Sequence, residues 1–423
     1  MERKSEQLRN VALIAHVGSG KTSLAEAMLF NGKGTSRLGR VDDGTSNFDF
    51  EPEEIKRRIT ISTSIHHCDW KKHIINIIDT PGDDNFLSDS KACLQAADGV
   101  IVVLDATAGV KFGTQKVWAF ADELKLPRMI YVSKMDRERS NFYGVVEEVM
   151  KTFEVKATPV FLPIGAEDKF EGLVDLIRMK AYRFSKDGSG KFEESDVPAD
   201  LKDEADEWRE KMIENIVEAD DQVMEKYLDG QQLSAQEVEE TFVKGTKSGL
   251  LIPVTCGSST FNIGVSQIMN LIVQRIPAPS ERPPFQGKRS GKDEVIQRKP
   301  SPTEALSALV FKTVADPFAG KLTLLRVCSG TLKSDSTVYN ANRGIREKFG
   351  QLLLLEGKKQ QPIEAAVPGD IVAIPKLKET ATGETLCAEN DPIVYTPTQP
   401  LPPVFSYAVA AKVQGTEDPL FSS

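Results

Sequence analysis

Five short stretches of this 423-residue chain carry residues whose types and spacing fit phosphate and base chemistry. The first reads Ala15-His16-Val17-Gly18-Ser19-Gly20-Lys21-Thr22-Ser23. It lies between the apolar run Val11-Ala12-Leu13-Ile14 and a helical stretch carrying Leu24, Ala27, Met28 and Leu29. Gly18 and Gly20 let backbone N–H groups turn inward around a β-phosphate, Lys21 brings a point charge to the β and γ oxygens, and the Thr22 hydroxyl can ligate Mg2+. His16, Val17, Ser19 and Ser23 complete the expected phosphate-binding set. Ala15 stands where the P-loop pattern has its first glycine, a miss by one small residue.

The second stretch is Asp79-Thr80-Pro81-Gly82, delivered by the strand-like run His73 to Asp79. Asp79 is placed to hold a Mg2+ water and the Gly82 N–H to meet a γ-phosphate. Alone, this tetrapeptide would read as an ordinary turn; its order and strand context point to a site. Between the two lies a charged segment, Glu51 to Ile61, in which Thr60 is the candidate for closing on Mg2+ and the γ-phosphate. The fourth stretch, Ser133-Lys134-Met135-Asp136, selects the base. The Asp136 carboxylate can accept two hydrogen bonds at once, from guanine N1–H and the exocyclic amine, and adenine has no such paired donors. The fifth, Gly257-Ser258-Ser259, offers a backbone N–H to guanine O6, a donor that would clash with an adenine amine. The expected ligands are GTP or GDP with Mg2+.

Strand-like runs at Val11–Ala15, Ile74–Asp79, Gly99–Ala106, Met129–Ser133 and Leu251–Cys256 must position these loops. Their alternation with helical stretches predicts a mostly parallel sheet with helices on both faces and the ligand at the strand C-termini. One helix and one strand would normally separate Asp136 from Ser258, so about a hundred residues are inserted. The reading assigns residues 1–280 to a nucleotide-binding domain with an inserted subdomain at about 158–250. It assigns 281–302, rich in Pro, Lys, Arg and Ser, to a linker. Short β runs split by glycine turns give a small barrel over 303–402, and 403–423 is read as the first strand, Val404 to Val413, of an incomplete third domain.

Composition narrows the class. With 40% hydrophobic and 27% charged residues the chain reads as soluble and globular. It has no run of ~18 apolar residues for a membrane helix, and Met1 to Ser5 leads into the first strand without a signal sequence, so a cytoplasmic monomer without membrane contact is expected. Cys68, Cys93, Cys256, Cys328 and Cys387 are scattered without a metal or disulfide spacing. A net charge of -9 argues against a general nucleic-acid coat but leaves room for a local basic face.

With these residues in place, the chain resembles the elongation factor G family of ribosomal translocase GTPases over nearly its whole length. The most specific matches lie outside the nucleotide motifs: Pro163-Ile164-Gly165-Ala166-Glu167, Met224-Glu225-Lys226-Tyr227-Leu228, Val310-Phe311-Lys312-Thr313-Val314-Ala315-Asp316-Pro317-Phe318 and Ser329-Gly330-Thr331-Leu332. The resemblance implies an α/β P-loop GTPase domain with an inserted α+β subdomain, followed by an all-β translation-factor barrel. It also implies GTP hydrolysis and a partner in the ribosomal RNA and protein of the factor-binding site, in translocation or ribosome recycling.

Four motif positions depart from the family. Gly18 stands where the family often has Asp, Arg58 where it has Gly, and Ser133 where it has Asn. Asp83 stands where it generally has a His that positions the attacking water. Lys21, Gly82 and Asp83 are therefore the candidate catalytic residues. Losing one neutral hydrogen bond at Ser133 costs roughly 0.5 to 1.5 kcal/mol of affinity, whereas a misplaced water costs ~10² to 10⁵ in rate. A slow or non-hydrolysing regulator that occupies the same ribosomal site is the alternative reading.

Overall fold

The computed structural model describes residues 3–316, 320–403 and 406–411. The strands of the N-terminal part are β1 (Leu8–Ile14), β2 (Ser64–Trp70), β3 (His73–Asp79), β4 (Gly99–Asp105), β5 (Arg128–Ser133), β6 (Ala157–Pro159), β7 (Phe161–Ile164), β8 (Gly172–Asp175), β9 (Lys180–Phe184), β10 (Phe192–Asp196) and β11 (Ile252–Cys256). Seven of them form one sheet in the order β2-β3-β1-β4-β5-β11-β6. All its pairings are parallel except β2 with β3. β1 and β5 are buried along their whole length, which is why Val11–Ile14 and Met129–Val132 within them read as continuous apolar runs and not as alternation. The parallel arrangement sends the loops after β1, β3, β5 and β11 out of the same edge.

The helices that cover this sheet include α1 (Lys21–Asn31), α2 (Pro52–Arg57), α3 (Leu87–Cys93), α4 (Phe112–Glu123) and α5 (Phe142–Phe153). α2 lies inside the charged segment; Pro52 at its first position favours the start, and Arg58, with φ 58°, closes it. Between β6 and β11 come a four-stranded antiparallel sheet in the order β10-β9-β8-β7 and the helices α6 (Lys202–Val217), α7 (Asp221–Leu228) and α8 (Ala235–Ser248). α9 (Val265–Arg275) returns to the main sheet, packing on α1 and β1.

The stretch read as a linker is not a plain connection. It holds the antiparallel pair β12 (Phe285–Arg289) and β13 (Val295–Arg298). Its Pro, Lys and Arg content hid the apolar Phe285 and Ile296, which pack beside Ile393 and Tyr395. The remaining strands are β14 (Ser307–Asp316), β15 (Gly320–Ser329), β16 (Leu332–Lys333), β17 (Ser336–Asn340), β18 (Ile345–Phe349), β19 (Leu352–Glu356), β20 (Lys359–Ile363), β21 (Ala365–Ala366), β22 (Ile371–Pro375), β23 (Thr385–Cys387) and β24 (Ile393–Tyr395). Eight form an antiparallel sheet in the order β18-β17-β23-β14-β15-β22-β19-β20, and β24 pairs with β12. Of the strand expected over Val404 to Val413, residues 406–411 carry no strand and the rest lies outside the described residues.

Side-chain alternation joins the two halves. Val310, Leu325, Val372 and Ile374 fill the antiparallel sheet's own core, while Phe311, Leu324, Leu353 and Ala373 belong to the same hydrophobic cluster as the mixed sheet.

Candidate nucleotide site

The loops leaving β1, β3, β5 and β11 meet at one cleft of about 380 Å³. Val17, Gly18, Gly20, Lys21, Thr22 and Ser23 of the first loop line it, together with Thr60, Gly82, Ser133, Lys134, Asp136 and Ser259. The loop's tight path rests on Gly18 and Gly20, which adopt φ of 77° and 93°. Gly82 has no room for a side chain: a Cβ there would lie 2.5 Å from Lys21 Nζ and 2.8 Å from the Ala15 carbonyl oxygen. The Asp79 to Gly82 turn thus sits directly on the phosphate loop. Lys21 is buried, and burial lowers its pKa even though Asp79 and Asp49 pull the other way. The His16 ring packs against Gly113 of α4, off the cleft wall.

At the foot of the cleft four oxygen-bearing side chains interlock. Thr22 Oγ1 donates to Asp79 Oδ2 at 2.7 Å and lies 3.0 Å from Thr60 Oγ1, and Thr60 Oγ1 donates to Asp49 Oδ1 at 2.8 Å. Asp79 Oδ1 and Asp49 Oδ2 are buried with no hydrogen-bond partner among the described residues. Burial above all holds both carboxyls above the usual carboxylate range, and neighbouring acids add to it, Asp49 acting on Asp79 and Glu54 on Asp49. Two idle carboxylate oxygens beside two hydroxyls form a hard, all-oxygen donor set. This fits Mg2+, which would relieve the cost of the buried charge.

The base-side loop is tied to the phosphate loop. Ser133 Oγ lies 2.6 Å from the Ser19 carbonyl oxygen and 3.0 Å from that of Leu104. The shorter serine side chain therefore still bonds the phosphate loop. Lys134, at φ 60°, donates from Nζ to the Gly18 carbonyl at 2.6 Å and to Asp105 Oδ2 at 2.7 Å. Although burial alone would raise it, Lys134 and the Thr107 N–H and hydroxyl hold the Asp105 carboxyl below its ordinary value. Asp136 lines the wall, its Oδ2 3.9 Å from Arg137 Nε. Gly257 and Ser258 are set behind the wall. A Cβ on Gly257 would run into Tyr131 Oη, and Ser258 exchanges backbone hydrogen bonds with Ile263.

Asp83 stands apart. It is not on the cleft wall, and its Oδ1 accepts from Asn85 N at 3.0 Å and Asn85 Nδ2 at 2.7 Å, capping the short turn Asp84–Phe86. Three residues beyond the sequence reading also build the site. Asp49 joins the oxygen cluster and Asp105 anchors Lys134. The fully buried Glu26 of α1 gathers Ser46 Oγ, the N–H groups of Asn47 and Phe48, and Asn47 Nδ2, pinning the segment that carries Asp49. Asp105 ends β4 as Asp79 ends β3, a signal that was available; Asp49 and Glu26 carry none.

Residues 6–278 match the Elongation factor Tu GTP binding domain family, and residues 305–389 match Elongation factor G domain 2. The chain belongs to the elongation factor G family. It is 39% identical over 416 residues to elongation factor G of Thermotoga maritima and 37% identical over 415 residues to that of Thermotoga neapolitana. Each match covers 98% of this chain and 60% of the relative, so the chain spans about 60% of the length of these elongation factor G proteins. The crystal structure of ttk003000868 from Thermus thermophilus superposes with a TM-score of 0.80 at 32% identity, over 92% of this chain and 55% of that one. No helix among the described residues is long and apolar enough to cross a membrane.

Proposed function

We propose that this chain binds GTP with Mg2+, hydrolyses it to GDP and phosphate, and works as a cytoplasmic, monomeric translation elongation GTPase at the factor site of the ribosome. In this reading Lys21, Gly82 and the N–H groups of the first loop hold the phosphates. Thr22, Thr60 and Asp79 hold the metal, with Asp49 beside them, and Lys134, Asp136 and the Ser258–Ser259 loop hold guanine. The bound Mg2+ would neutralise charge on the β and γ oxygens. Water forms the new bond to the γ-phosphorus as the bond to the β-γ bridging oxygen breaks, and the leaving charge passes to the diphosphate beside Lys21.

The observation that carries the reading is the join between base loop and phosphate loop through Lys134, Gly18 and Ser133. That join supports the reading because it ties the loop that carries Asp136 to the loop that carries Lys21. Turnover of GTP by the purified chain, with and without ribosomes, is the test. Ribosome-stimulated phosphate release supports the reading; no release under either condition contradicts the enzymatic part of it.

A further inference from the structure

We infer that Arg58 contacts the terminal phosphate of the bound nucleotide and favours the nucleoside triphosphate over the diphosphate; the inference rests on the GTP-binding reading above. Arg58 lies on the cleft wall with Lys21, Thr60 and Gly82. Its backbone, at φ 58° and ψ 38°, is left-handed, a conformation that glycine adopts freely and an L-residue adopts under strain. What sets Arg58 apart is its place, an exposed long cation on the wall of this cleft.

Arg57, Lys134 and Arg137 each have an acidic neighbour, and Arg58 has none among the described residues. Arg57 holds Glu53 at 2.5 Å, Lys134 holds Asp105 at 2.7 Å, and Arg137 lies 3.9 Å from Asp136. Arg58 makes no ion pair among the described residues. The buried acid of its own helix, Glu54, is occupied by the N–H groups of Glu51, Ile61 and Ser62. Asp49 on the same wall accepts from Thr60, and Asp42 forms no pair with Arg58 among the described residues. A guanidinium fork matches phosphate oxygens in a bidentate way that a point charge does not. Arg58 stands two residues before Thr60, which bonds Thr22, and so on the part of the cleft wall that carries Thr60, Lys21 and Gly82.

The test is equilibrium binding of GDP and of β,γ-imido GTP, with Mg2+, to the full chain and to Arg58→Gly, Arg58→Gln and Arg58→Lys. Thermal melts accompany each variant, and glycine relieves the backbone strain, so Arg58→Gly is expected to stay folded. Expected is a loss of about tenfold in triphosphate affinity for the Gly and Gln variants, about 1.4 kcal/mol, with GDP affinity changed less than about twofold and a partial recovery in the Lys variant. Equal weakening of both nucleotides would assign Arg58 a structural part at the end of α2 and overturn the inference. Unchanged binding with weaker ribosome association would do the same in favour of an RNA contact. A native chain that binds neither nucleotide would remove the GTP-binding reading itself, a result distinct from those two.

Discussion

Asp83 occupies the position where the family's water-positioning His is expected, yet its carboxylate is turned to Asn85 and is absent from the cleft wall. An ionised carboxylate beside a γ-phosphate would be repelled, and the Asn85 donors give it a better place. Asp83→His is therefore expected to raise ribosome-stimulated GTP turnover by at least about tenfold, since ~1.4 kcal/mol of transition-state stabilisation suffices. A phosphate-release assay in which Asp83→His matches the native rate would show that another group orients the water. Asp136 makes the complementary case at the base. Asp136→Asn is expected to weaken GTP by about 1.5 to 3 kcal/mol, the worth of hydrogen bonds to a charged group, and to bind xanthosine nucleotide better, because that base carries an oxygen where guanine has its amine. Competition between the two nucleotides checks it, and an unchanged preference for GTP would count against Asp136 as the base reader.

At the scale of elements, the loops that line the cleft were legible because each sits next to its own strand or helix in sequence. The order of Gly18, Lys21, Asp79 and Asp136 is enough to place them on one sheet edge. Asp49 and Glu26 were not legible, since their roles exist only after the segment from residue 38 to 63 folds back on α1. The strand pair within 285–298 was missed for a related reason: two short runs without a strong period gain their partner, β24, only after about a hundred residues. The Glu26 anchor predicts local behaviour. Glu26→Met removes the oxygen that accepts from the N–H groups of Asn47 and Phe48, so amide exchange in residues 46–50 is expected to accelerate by about tenfold or more while β1 stays protected. Uniform exchange across segment and core would mean the segment is held elsewhere.

At the scale of the whole molecule, Lys312 of β14 reaches across to the nucleotide half. Its ammonium donates to Ser62 Oγ at 2.7 Å and to Asp89 Oδ2 of α3 at 2.8 Å, and Asp89 also accepts from the Thr63 N–H. One cation thus touches both the segment after Thr60 and the helix after Gly82. Lys312→Met leaves Asp89 short of its partner, and the expected cost in urea unfolding is about 1.5 to 3 kcal/mol. A change within about 0.5 kcal/mol, typical of surface positions, would mean that the apolar packing of Phe311, Leu324 and Leu353 joins the two halves without it. The claim on which everything else depends is that the cleft reads guanine, and the most direct measurement is displacement of a fluorescent GDP from the native chain by unlabelled GTP and ATP with Mg2+. Displacement by GTP at least about a hundredfold more effective than by ATP, about 2.7 kcal/mol of discrimination, is the predicted result, whereas equal displacement by the two nucleotides would contradict it.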